Sequence, residues 1–298
     1  MAPVAIDHTP REYQQYPGAQ YVLPTDEAEK QRLELQHRAV KQVFNGRILF
    51  APVKLIEGHK VLDTGTGPGI WLLDAANSVN PAVQMTGVDI ESRLFPSSPP
   101  KNVSFQIGSV LELPKEWSNT FTLVHQRLLI AALQIPQWPQ ALGEVYRVVR
   151  PGGWVQITET TAWIPGAYPG RPNLEKVSRL WGALAAQRNL HAECARDMPR
   201  LLANAGFVDI RQESREIRVG KWAGENGVAM KKNYLQVLQG MKTPILQAGG
   251  FGIVSSEAEF EALVEGLGHE WEVPRVEKDF EFFVYWAQKP DLVERSRL

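Results

Sequence analysis

Two aspartates bracket a run of glycines at a spacing suited to hold a ligand. The sequence reads Asp63-Thr64-Gly65-Thr66-Gly67-Pro68-Gly69, and Asp89 ends the next apolar run. A glycine-rich turn between a strand and a helix lets backbone approach a ligand closely, and the helix start favours an anion. A dinucleotide fingerprint requires glycine at 65, 67 and 70, but position 70 is Ile70; a phosphate loop requires a Gly-Lys-Ser/Thr ending, which is missing. A carboxylate at Asp63 accepts hydrogen bonds from an amine and repels a phosphate. The ligand is therefore expected to carry a cationic amino-acid part rather than a pyrophosphate. Asp89 can take both hydroxyls of a ribose, which either ligand class would offer. A tight turn with no ligand is the plainer reading. Against it, both acids and Gly108-Ser109-Val110 fall where the edge of a bound cofactor would run.

Further along, His125 is expected at the carboxyl end of a strand, where open α/β sheets bind ligands. A histidine titrates near neutrality, so it is the candidate general base; shaping the pocket is the alternative. Arg127 is a candidate to hold an acidic substrate, or else to pair with a nearby carboxylate. Glu159, ending another strand on the same edge, is a candidate to bind a substrate hydroxyl or amine. His37 lies on the apolar face of an early helix and reads as a buried, satisfied histidine. The aromatic and Met residues Trp163, Tyr168, Trp181, Trp222, Met230, Tyr234, Met241 and Trp271 populate 161–278, the expected acceptor side, although most should be core. Gly249-Gly250-Phe251-Gly252 reads as a surface turn, with a lid hinge as the alternative. The lone Cys194 follows Glu193 rather than proline and reads as an inert thiol; no metal-ligand spacing appears.

These residues need elements to position them. Asp26 with Glu29 gives a capping-box spacing, and Leu33, His37, Val40 and Phe44 line one face of the helix that follows, ended by Asn45-Gly46. Strands are predicted at 60–63, 83–89, 103–107, 121–125 and 154–159, with helices at 70–79 and 138–149. Alternation of this kind implies a parallel sheet wound on both faces. Pro96, Pro99 and Pro100 turn 92–102 into a loop. Beyond Thr161 the pattern loosens. Helices are predicted at 174–189, 198–205, 224–241 and 257–267, and strands at 208–219 and 280–287. Four prolines and three tyrosines in 1–24 make an extended arm.

Together, Val61-Leu62-Asp63-Thr64-Gly65-Thr66-Gly67, Gly87-Val88-Asp89 and Arg150-Pro151-Gly152-Gly153-Trp154 resemble the class I S-adenosylmethionine-dependent methyltransferases. A closer resemblance is to their fungal LaeA-like branch. It rests on Tyr21-Val22-Leu23-Pro24, Arg32-Leu33, Gln36-His37, Gly69-Ile70-Trp71, the proline-rich stretch after Asp89, and Val124-His125-Gln126-Arg127. The likeness covers most of 20–290, densely over 60–160. It implies an α/β fold: a doubly wound, mostly parallel, Rossmann-like seven-stranded sheet with the last strand antiparallel and helical additions over the active site. It implies S-adenosyl-L-methionine as cofactor, held by Gly65, Thr66, Gly67, Asp89 and Ile90, by Ser109 and Val110 at the adenine, and by Asp63, Gln126 and Tyr21. Many relatives have Asp at position 109, so Ser109 puts the strength of adenine binding in question.

The domain expectation is an arm (1–24), a helical cap (25–58), a cofactor-binding core (59–160) and substrate-side elements of the same domain (161–298). Hydrophobic residues make up 44%, charged residues 22%, and net charge is -1. No global positive field points to nucleic acid or an anionic membrane. With no signal-peptide pattern, no spanning apolar run and one cysteine, the expected compartment is the cytoplasm, with nuclear entry left open. The expected activity is methylation of a small, secondary-metabolite-like acceptor, on oxygen before nitrogen. A LaeA-type regulator acting in a protein complex, or a cofactor-binding enzyme that transfers no methyl, are the alternatives.

Overall fold

Runs of apolar residues ended by Asp or Gly become strands in the computed structural model of the chain, which describes residues 4–161, 163–274 and 280–291. The first half contains α1 (Glu27–Val43), β1 (Lys60–Thr64), α2 (Ile70–Ala76), β2 (Gln84–Asp89), β3 (Val103–Ile107), β4 (Phe121–Arg127), α3 (Gln137–Val148) and β5 (Val149–Thr161). The second contains α4 (Pro172–Gln187), α5 (Cys194–Asn204), β6 (Val208–Ile217), α6 (Gly224–Gln247), α7 (Glu257–Glu270) and β7 (Phe280–Gln288). Asp26 caps α1 by accepting the Glu29 N–H at 2.9 Å, as the capping spacing requires.

The seven strands form one sheet in the order β3-β2-β1-β4-β5-β7-β6. Every neighbouring pair from β3 to β5 is parallel, while β7 runs antiparallel to both β5 and β6. Val61, Leu62, Leu123 and Val124 in the two central strands are fully buried. Burial on both faces is why those strands read as unbroken apolar runs. The chain winds outward from β1 to β3, then returns to start β4 beside β1. The switch point therefore lies between β1 and β4, where an open α/β sheet leaves a crevice beyond the carboxyl ends of its strands.

Some boundaries move. Helix α2 stops at Ala76, and β4 runs two residues further than expected, to Arg127. β5 already starts at Val149, because Arg150-Pro151-Gly152-Gly153 is absorbed as an irregularity in its pairing with β4. Helix α6 continues past Met241 through Pro244, which forfeits one helical hydrogen bond without ending the helix. Residues 92–102 form no helix, as their prolines dictate. Gly249–Gly252 is a tight turn in which all four residues have positive φ. Among the described residues no helix is long and apolar enough to cross a membrane.

The arm is pinned across the top of the sheet. The Ile6 N–H donates to Leu246 O, the Tyr13 hydroxyl to Gly240 O, and Arg11 pairs with Asp26. This lays 14–23 over the carboxyl ends of the strands.

Candidate active site at the switch point

Register brings the two central chemical residues together. Asp63 in β1 lies directly opposite His125 in β4. The His125 Nδ1–H donates to Asp63 Oδ1 at 2.7 Å, and Thr66 Oγ1 donates to Oδ2 at 2.5 Å. The ring of Trp71 stacks on the imidazole at 3.6 Å with the planes 2° apart. Burial pushes the His125 pKa down, with the Asp63 charge acting against it. The ring is thus neutral near pH 7 and held in one tautomer, with Nε2 left toward the cleft that it lines.

The glycine loop turns as its composition demands. Gly65, Gly67 and Gly69 all have positive φ (64°, 53° and 73°), where a side chain is strained. A Cβ at Gly65 would stand 2.7 Å from Leu129 Cδ2, and one at Gly69 would stand 2.4 Å from the Phe105 ring. At the end of β2, Asp89 Oδ2 accepts the Gly67 N–H at 2.7 Å, and Oδ1 accepts the Glu91 N–H at 3.1 Å. Burial raises the Asp89 pKa to about 6. Ile90, Ser109 and Val110 continue the same wall.

A single cleft of about 310 Å³ runs from this wall to the second half of the chain, within the range of small-molecule pockets. Tyr21, Asp63, Gly65, Thr66, Gly67, Asp89, Ile90, Ser109, Val110, His125 and Arg127, all expected from the sequence, line it. Burial pushes the Tyr21 hydroxyl pKa up. Of the eight aromatic and Met residues expected on the acceptor side, Trp163, Trp181, Tyr234 and Met241 reach the cleft; Tyr168, Trp222, Met230 and Trp271 do not line it. Residue 162 and residues 275–278 of that span lie outside the described residues.

Two expected site residues are turned away. His125 and Arg127 face the cleft, so strand alternation sends Gln126 to the opposite side. There its Oε1 accepts from the Thr64 hydroxyl at 3.2 Å. Glu159 is fully buried and does not line the cleft. Its Oε1 accepts the Leu129 N–H at 2.7 Å. The correction for both is that the side chain serves the face of the sheet opposite His125 and Arg127.

Burial raises the Glu159 carboxyl to about 8. The folded chain therefore holds a proton there that the unfolded chain, with an ordinary carboxyl, has released above about pH 4.5. Stability from this group is full below that pH and is lost as pH rises through 8. Melting curves between pH 5 and 9 are expected to show the wild type losing Tm relative to Glu159→Gln, which has nothing to ionise. Parallel curves would refute the burial of a protonated carboxyl.

Several side-chain pairings escaped the sequence reading. Arg127 Nη1 donates to His37 Nδ1 at 3.1 Å, and His37 Nε2 donates to Asp74 at 2.9 Å. Burial and the Arg127 charge bring the His37 pKa down to about 4, so it is neutral and able to accept. His37 is thus buried and satisfied, as expected, and in addition orients Arg127. Arg32, on the same helix, makes a buried bidentate pair with Glu29 and donates to Asn233 Oδ1 at 2.9 Å. Arm residues Gln14, Tyr16 and Ala19 also reach the cleft. Only Trp71 had a local cue, its place just after the glycine loop.

A family model described as a methyltransferase domain matches residues 61–153, the span that carries the glycine loop, Asp89 and His125. The chain is 29% identical to the N-methyltransferase sirN of Leptosphaeria maculans, over 93% of this chain and 97% of that protein. It is 27% identical to the N-methyltransferase gliN of Aspergillus fumigatus, over 91% and 96%. It is 30% identical to the secondary metabolism regulator laeA of Aspergillus flavus, over 71% of this chain and 57% of that protein. A chain in the complex between the Haloferax volcanii Trm112 methyltransferase activator and a methyltransferase shares the fold, with a TM-score of 0.52 at 14% identity over 89% and 96% of the two chains. With Asp63, Asp89 and the glycine cradle assembled on one crevice, the chain is a class I S-adenosylmethionine-dependent methyltransferase.

Proposed function

We propose that this methyltransferase acts on a nitrogen of an uncharged, largely apolar, ring-containing small molecule of the secondary-metabolite kind. One observation carries the proposal: the cofactor half of the cleft opens directly into a half walled by Trp163, Trp181, Tyr234, Val237 and Met241. Flat apolar walls bind rings, and an acceptor charge would be poorly solvated there. Arg32, which also lines the cleft, is already neutralised by Glu29. The sequence alone favoured oxygen. The N-methyltransferase relatives, similar over more than nine-tenths of the chain, support nitrogen instead.

The residues present fit the cofactor. The Gly65 cradle has no room for a Cβ, and Asp89 presents a half-buried carboxylate where a ribose would lie. When bound, S-adenosylmethionine supplies an electrophilic methyl group on a cationic sulfur. Asp89 would accept the ribose hydroxyls, and Ser109 and Val110 would border the adenine. Asp63 would keep lone pairs for the ammonium group, and Arg127, steadied by His37, would meet the carboxylate. His125 Nε2 takes the proton that a neutral N–H acceptor must lose, while Asp63 stabilises the imidazolium so formed. The aromatic walls hold the acceptor at attack distance, which can supply much of the rate.

The test incubates the chain with methyl-labelled cofactor and a panel of cyclic amides, secondary amines, phenols and carboxylic acids. Label is expected on ring-borne nitrogen. Label confined to phenols or acids would overturn the choice of nitrogen. No label on any acceptor, together with stable capture of a partner protein, would favour a regulator like laeA.

A further inference from the structure

The turn that follows β4 is built against local preference. Leu128 has φ +56° and ψ +46°, the left-handed region. A bulky residue there is strained and persists only where its surroundings fix it. Asn45, Asn119, Asn189 and Asp209 share the conformation, as do Trp163 and Phe251; short polar side chains tolerate it, whereas bulky ones are strained. Leu128 has no such help. The 3₁₀ turn Leu129–Ala131 that it opens receives no side-chain cap from its own flank, so its first N–H groups need a partner elsewhere. Glu159 provides one from the neighbouring strand, through the bond to the Leu129 N–H.

What the turn carries gives this bond its consequence. The Leu129 side chain lies against Gly65, closer than any Cβ there would allow. Leu128, Leu129, Ile130 and Ala131 all line the cleft. The turn is therefore the wall shared by the glycine loop and the acceptor half, and one side chain beneath the sheet fastens it. We propose that Glu159 is a positioning residue for the cofactor: by capping the Leu129–Ala131 turn from the interior, it holds Leu129 against Gly65 and fixes the shape of the loop that grips the ligand. The inference rests on the cofactor part of the reading above and is independent of the acceptor.

The chemistry of the carboxyl agrees. Burial pushes it to about 8, so near neutrality it is protonated and accepts as a neutral carbonyl-like oxygen. The groups facing it from α5 and β7 are the Cys194 thiol and the Tyr285 hydroxyl, both pushed up by burial and uncharged. An amide oxygen can replace such an acceptor, whereas a methyl group cannot.

Calorimetric titration of the full chain with S-adenosylhomocysteine at pH 7 tests this. Glu159→Ala is expected to weaken binding about tenfold or more, and Glu159→Gln to stay within about threefold of wild type. Leu129→Ala is expected to weaken binding too. The double variant Glu159→Ala/Leu129→Ala should be no worse than the poorer single one, because both changes break the same linkage. Wild-type affinity in Glu159→Ala, equal losses in the Ala and Gln variants, or multiplying losses in the double variant would overturn the proposal. If Glu159→Ala does not fold, Glu159→Asp, one methylene short of the Leu129 N–H, takes its place. Its affinity should fall well below that of Glu159→Gln, and equal affinities would overturn the idea. A wild-type chain that binds no S-adenosylhomocysteine overturns the cofactor reading and this inference with it.

Discussion

Asp89→Ala is expected to weaken S-adenosylmethionine binding by about 150-fold, read by calorimetry. The carboxylate would accept two ribose hydroxyls, and a hydrogen bond to a charged group contributes roughly 1.5–3 kcal/mol. Two at the lower figure make about 3 kcal/mol, or a little over two factors of ten in affinity. The same substitution removes the acceptor for the Gly67 N–H, so the glycine loop loses an anchor as well as the ligand losing a partner. The pH dependence carries its own signature. Burial raises the Asp89 pKa to about 6. Hydroxyl donors prefer the ionised form, so affinity should be full above pH 6 and decline as pH falls below it. Asp89→Asn should bind weakly and show no such decline. An Ala variant that binds within about threefold of wild type would remove Asp89 from the site.

How far this site could be read beforehand differs from residue to residue. The loop was legible because glycine at 65, 67 and 69 has a backbone reason, positive φ, that few other residues satisfy. β1 and β4 were legible because parallel strands buried on both faces are apolar without interruption. Gln126 was legible too, had strand parity been applied: once His125 and Arg127 are placed in the cleft, the residue between them must face away. Glu159 is a different case. Its orientation follows from the pairing of Gln126 with Ile157, which puts Ile157 and Glu159 on the side of the sheet opposite His125. No local pattern encodes that register, particularly where Arg150-Pro151-Gly152-Gly153 shifts it. The contribution of the arm, the left-handed Leu128 and the bond from Arg127 to His37 are all tertiary. Each joins segments distant in sequence, so spacing along the chain could only hint at them.

His125→Gln is expected to lower kcat about 100-fold or more with the labelled-methyl assay, while S-adenosylmethionine affinity changes less than about threefold. The lower bound follows from what a positioned base contributes, typically a factor of 10² to 10⁴. Glutamine keeps a donor for Asp63 but offers no basic nitrogen to the cleft. The alternative role for the imidazole, holding the ammonium end of the cofactor, predicts the reverse split: a large loss of affinity and a modest loss of kcat. pH adds a second discriminator. Because burial lowers the His125 pKa below 6.5, the base form should already dominate at neutrality. Turnover should rise with pH only across the acidic range and be flat from about pH 7 upward, unlike an unshifted histidine, which would still be titrating near 6.5. Asp63→Asn separates the pair from its parts. It leaves the imidazole without its carboxylate and frees the tautomer, so turnover should fall by a factor comparable to His125→Gln, and the double variant should fall little further. That non-additivity is what a pair acting as one unit requires. Losses that simply multiply would mean that Asp63 serves the ammonium group alone and that the acceptor loses its proton without help from the 2.7 Å bond between Asp63 and His125.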